Sequence, residues 1–175
     1  MVEVVLRAVR VDVGSATPLL LLEEVGGRRV LPVFIGAPEA TAIAYALQAI
    51  ETPRPMTHDL LGHVISALGG RLFAVEVTGL VENTYFASLR LLTSGEEVVV
   101  SARPSDAIAL ALRVGAPILV NDELMAAEGK EMDLVDESEE LDDAALVDLD
   151  EPSETELVDQ LRAFLDSVKP EDFEA

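Results

Sequence analysis

Three places in this sequence set a charged or ionisable side chain at the start of an apolar segment: Glu39, the pair His58-Asp59, and Arg103 with Asp106. Each pattern has a chemical and a structural reading. His58 and Asp59 form a general-base pair or supply metal ligands, since imidazole titrates near neutrality; alternatively Asp59 and Thr57 cap a helix and His58 packs at its edge. Glu39 falls on the apolar side of its helix, as a partly buried ligand or base, or as a first-turn anion meeting free N–H groups. Arg103 precedes Pro104 and can fork onto a carboxylate or a phosphate. With Asp106 it forms part of a site or ties down a helix entrance. His63 lies five residues from His58, so the two are not a helical His-x-x-x-His zinc pair.

The segments that must position these groups are legible from periodicity and turn residues. Residues 2–12 alternate as a strand. Strands at 17–25 and 29–35 flank Gly26-Gly27, a hairpin signal. A helix over 37–50 starts with Pro38 in its first turn, buries Ile43, Ala46, Leu47 and Ile50, and stops before Pro53 and Pro55. Thr57 is the expected N-cap of a helix over 58–68 that ends at Gly69-Gly70. On a helical wheel it buries Leu60, Leu61, Val64, Ile65 and Leu68 and places Asp59 within reach of His63. Strands follow at 71–81, 84–93 and 96–102. The segment 104–114 is apolar nearly all round, which marks a buried helix; Asp106 and Arg113 form its polar stripe. A short strand at 117–120 and a short helix through Ala127, capped by Asn121, complete an α+β domain with a mixed, largely antiparallel sheet.

Composition divides the chain. The net charge is -21, with 14 acids against 9 bases in residues 1–127 and 19 against 3 in 128–175. The domain is assigned to 1–128. Residues 129–152 read as an acidic, disordered linker, and 153–175 as an amphipathic helix and tail carrying Leu157, Leu161, Phe164, Leu165 and Val168. An acidic chain repels polyphosphates at long range, and there is no phosphate-cradling loop, nucleophile elbow or basic–aromatic run. Cysteine is absent, which excludes disulfides and thiolate metal sites. No apolar run approaches the ~20 residues that span a bilayer, and charges at Glu3 and Arg7 interrupt any leader-like start. A soluble, cytoplasmic protein is the expectation.

Four blocks in order resemble the bifunctional nuclease (BFN) domain family. They are Leu31-Pro32-Val33-Phe34-Ile35-Gly36 with Glu39-Ala40 and Ala42-Ile43; Arg54-Pro55-Met56-Thr57-His58-Asp59-Leu60-Leu61; Arg103-Pro104-Ser105-Asp106-Ala107-Ile108-Ala109-Leu110-Ala111; and Pro117-Ile118. The resemblance implies a mixed-sheet α+β fold, a homo-oligomer, and DNA or RNA as substrate, as described for plant members. Glu39, His58, Asp59, Arg103 and Asp106 lie inside the matching blocks; His63 does not. On this reading His58, Asp59, Asp106 and Arg103 are the catalytic set. Glu39, Asp59 and Asp106 would hold Mg²⁺ or Mn²⁺ through oxygen, His58 would act as base or acid, and Arg103 would neutralise the phosphate. The rival expectation is a non-catalytic oligomeric module whose polar helix starts are structural caps.

Overall fold

Strands run in groups between helices in a computed structural model that describes residues 1–12 and 14–131, which hold eight strands and four helices. The strands are β1 (Val2–Asp12), β2 (Thr17–Glu24), β3 (Arg29–Phe34), β4 (Gly70–Val81), β5 (Thr84–Thr93), β6 (Glu96–Ala102), β7 (Ile118–Val120) and β8 (Lys130–Glu131). The helices are α1 (Ala37–Leu47), α2 (Thr57–Ala67), α3 (Pro104–Val114) and α4 (Asp122–Glu128). The strands form one sheet in the order β6-β5-β4-β7-β1-β2-β3-β8. Every pairing is antiparallel except β4 with β7, which is parallel. The expected mixed α+β architecture is the one observed. Among the described residues no helix is long and apolar enough to cross a membrane.

Turn chemistry sets the hairpins. Glu82 and Asn83 both take positive φ between β4 and β5, as do Ser94 and Gly95 between β5 and β6, the left-handed geometry that matches strand twist. Asn121 caps α4 by accepting the N–H groups of Glu123 and Leu124. α1 is shorter than its apolar pattern suggests. It ends at Leu47, and Ala49 turns left-handed at φ 51°, so Leu47 and Ile50 are exposed. Lys130 and Glu131 pair with β3. The readings for the acidic linker from 132 on and for the terminal helix fall outside the described residues.

α3 is the centre of the helical layer. Pro104, Ser105 and Ala107 through Ala111 are all buried, and α3 lies on β4 and β5 with α1 and α2 packed against it. Alanines at 107, 109 and 111 let neighbours approach on several sides, and Gly115 at φ 70° closes the helix.

α2 departs most from its wheel. Leu60, Leu61, Val64 and Leu68 are exposed, while His58 is buried and Asp59, Gly62 and Ile65 are half-buried. Two causes combine. His58 and Asp59 find bonding partners on α3, and Gly62 admits Leu110 and Val114 closely. A wheel ranks faces by hydropathy alone; here specific polar partners decide which face turns inward. The orientation is checkable by urea denaturation. Ile108→Ala is expected to cost about 2–5 kcal/mol, whereas Leu60→Ala should change stability by less than ~0.5 kcal/mol, as exposed sites do.

Candidate functional site

The starts of α1, α2 and α3 bring Glu39, His58 and Asp106 together through Arg103. Arg103 is the N-cap residue of α3, its ψ of 146° fixed by the following proline. Its guanidinium forks onto Asp106, Nε to Oδ2 at 2.7 Å and Nη2 to Oδ1 at 3.1 Å. Nη2 also meets Glu39 Oε1 at 2.9 Å. Asp106 Oδ1 lies 3.2 Å from His58 Nε2. The result is a continuous chain, Glu39–Arg103–Asp106–His58, spanning three helices. Glu39 folds back over the start of α1, where a side chain in place of Gly36 would collide with its carboxylate.

Burial opposes ionisation of Asp106, yet the hydrogen bonds from Arg103 and His58 outweigh it and hold its carboxyl below the ordinary value of 3.8. Asp106 is therefore a carboxylate and can only accept. The imidazole must therefore donate to Asp106 through Nε2. No described residue bonds Nδ1. His58 lies on the wall of an open cavity of about 650 Å³, shared with Asp59, His63, Ser66 and Arg113. One ring nitrogen of His58 is thus anchored by a carboxylate, and the other has no bonding partner among the described residues.

Asp59 belongs to a different set of bonds. Its Oδ2 accepts the Met56 N–H at 2.8 Å and its Oδ1 accepts Nε of Arg113. Met56, not Thr57, is thus the N-cap residue of α2, and Asp59 serves as its reciprocal cap. It makes no bond to His63, the partner its spacing suggested. Arg113 uses all three of its guanidinium nitrogens. Nη1 donates to the Ala109 carbonyl and Nη2 to the Ala42 carbonyl, each at 2.9 Å, with its side chain only 10 % exposed. It joins α1, α2 and α3 at one point. Burial works against the Asp59 carboxylate, but the Met56 N–H and Arg113 hold it below 3.8. The sequence showed Arg113 only as part of a stripe with Asp106. The signal for its role was a lone arginine in the last turn of an apolar helix, which needs buried acceptors.

The expected cation centre of Glu39, Asp59 and Asp106 is not assembled. Each carboxylate is taken up by an arginine, and among the described residues no group of three His, Asp or Glu side chains could hold a metal ion. The donor set does not fit Mg²⁺ or Mn²⁺, which need several oxygens free to converge. Arg103 lies away from the His58 cavity and lines a second one, of about 440 Å³, with Glu39 and Ser105.

The Bifunctional nuclease domain profile matches residues 20–133, and the chain belongs to that family. It is 43% identical over 173 residues to an uncharacterized protein of Mycobacterium tuberculosis, covering 99% of this chain and 98% of that one. It is 31% identical over 121 residues to Bifunctional nuclease 1 of Arabidopsis thaliana, covering 67% of this chain and 37% of that protein. Against Bifunctional nuclease 1 of Oryza sativa subsp. japonica it is 29% identical over 106 residues, 59% of this chain and 32% of the relative.

Two measurements check the electrostatics. Arg113→Met, which leaves Asp59 and two carbonyls without their donor, is expected to lower stability by about 2–4 kcal/mol in chemical denaturation. Asp59 and Asp106 have folded values below 3.8. Their ionised forms contribute stability that is complete above the unfolded value and is lost as pH falls through the folded ones. Acid titration should show that loss below about pH 4, with a shallower slope in Asp106→Asn.

Proposed function

We propose that this domain is a nuclease in which His58 is the general base and Asp106 its orienting partner. The observation that carries the reading is the His58–Asp106 bond, made by a residue that lines the larger cavity. Membership of a family with relatives named bifunctional nucleases supports phosphodiesters of DNA or RNA as the substrate class.

The chemistry is a proton cycle on one imidazole. Nδ1 takes a proton from an attacking hydroxyl, of water or of the sugar, as its oxygen bonds to phosphorus. The imidazolium is balanced by Asp106, which stays ionised because Arg103 holds it. Nδ1–H then returns the proton to the departing oxygen as its P–O bond breaks. Glu39 fixes Arg103, and Asp59 with Arg113 sets the angle of α2 that presents His58; both pairs are positioning groups. No step passes through a metal ion, since the carboxylates that would hold one are paired with guanidinium groups.

The reading that competes is a non-catalytic oligomeric module. In its favour, edge strand β6 leaves Val98, Val99 and Val100 exposed, an unpaired apolar edge suited to strand addition. One assay separates the two. Purified protein is incubated with single-stranded RNA and DNA, with and without EDTA, beside His58→Ala and Asp106→Asn. Cleavage is expected to survive EDTA, to fall at least ~100-fold in His58→Ala, and to fall in Asp106→Asn without loss of fold by circular dichroism. Equal cleavage by wild type and both variants, or none by any, would refute the catalytic reading.

A further inference from the structure

We propose that the second cavity is a ribonucleoside subsite, where Phe34 carries the base while Glu39 and Ser105 hold the sugar hydroxyls. The inference extends the nuclease reading to what the domain grips, and its test reads binding alone.

The cavity opens between the end of β3, the β4–β5 turn and the starts of α1 and α3, on the Arg103 side of the network. Its volume of about 440 Å³ suits a nucleoside. Ser105 is only 7% exposed, yet its hydroxyl has no partner among the described residues, and the residue lines the cavity. No fully buried side-chain polar atom among the described residues lacks a partner, so this hydroxyl still reaches solvent and is available to a ligand in the cavity. Its own N–H and that of Asp106 precede the first backbone bond of α3, from Ala107 to Arg103. Glu39 is also half-committed: Oε1 meets Arg103, whereas Oε2 has no donor among the described residues. Phe34, 56% exposed on the same cavity, is the most exposed aromatic side chain among the described residues. Leaving so much aromatic surface wet beside polar groups is the layout of a stacking platform.

Charge selects the ligand. Two carboxylates, Glu39 and Asp106, share the single Arg103 guanidinium. Of these three only Glu39 and Arg103 line the cavity, and they offset each other, so it holds no net positive charge to favour a phosphate. A carboxylate oxygen and a hydroxyl match the hydroxyls of a ribose, with the 2′-OH distinguishing ribose from deoxyribose. An attached phosphate is left at the rim, where the Arg103 side chain is 65% exposed and Nη1 is unused among the described residues.

The full chain contains no tryptophan, so Phe34→Trp installs a single indole reporter. We expect adenosine to quench it saturably, 2′-deoxyadenosine to bind about tenfold more weakly, and ribose 5-phosphate to leave it unchanged. Adding Ser105→Ala should weaken adenosine about fivefold, with the fold verified by circular dichroism. Calorimetric titration of the unsubstituted chain with adenosine checks that the indole has not created the site. No saturable heat up to about 10 mM adenosine, equal responses to ribose 5-phosphate, or unchanged affinity in Ser105→Ala would each overturn the proposal. RNA cleavage without adenosine binding would leave the His58 reading standing and sink this one; the reverse result would do the opposite.

Discussion

The hydrogen-bonded link from Arg103 through Asp106 to His58 is the constraint around which the helical layer is arranged. α3 is buried for most of its length, and its first turn holds the partly buried carboxylate of Asp106. A carboxylate placed there must find donors inside the protein or cost several kcal/mol. It finds two, a forked guanidinium from its own N-cap residue and an imidazole from α2. The bonds that make α3 tolerable as a buried helix also prepare a histidine. A structural requirement and a chemical one are met by the same atoms, which is why the structural and catalytic readings of Asp106 do not exclude each other.

A second set of bonds keeps that geometry in place. Arg113 reaches one acceptor on each of α1, α2 and α3 and exposes almost none of its side chain. Through Asp59 it holds the first turn of α2, and so sets where the neighbouring His58 lies. The cost is visible on the far side of α2, where Leu60, Leu61, Val64 and Leu68 face solvent. Hydrophobic burial, at roughly 25 cal/mol per Å², favours the opposite rotation. A desolvated arginine–carboxylate pair with two further carbonyl acceptors outweighs it, because undoing that set would leave buried charge unpaired.

The two cavities lie on opposite ends of the Glu39–Arg103–Asp106–His58 chain, and their chemistry differs for that reason. At the His58 end the wall also carries Asp59, His63 and Arg113. At the Glu39 end the charged lining residues are Glu39 and Arg103, which pair with each other. The acidic balance of the whole sequence disfavours polyphosphates at long range, and this paired lining adds no net positive charge to attract one.

Strand alternation, turn residues and the all-round apolar character of 104–114 determined the secondary structure and the α+β class. These are local properties, set by backbone sterics and by burial averaged over a segment. The five candidate residues were also legible, as charged groups at helix starts within family-like blocks. Tertiary structure alone decided their partners. It turned Asp59 to Arg113 instead of His63, spent the three carboxylates on arginines instead of a cation, and rotated α2 against its own hydropathy. Sequence spacing carries no information about which donor on another helix a carboxylate will meet, and within a buried layer that meeting outweighs the local pattern.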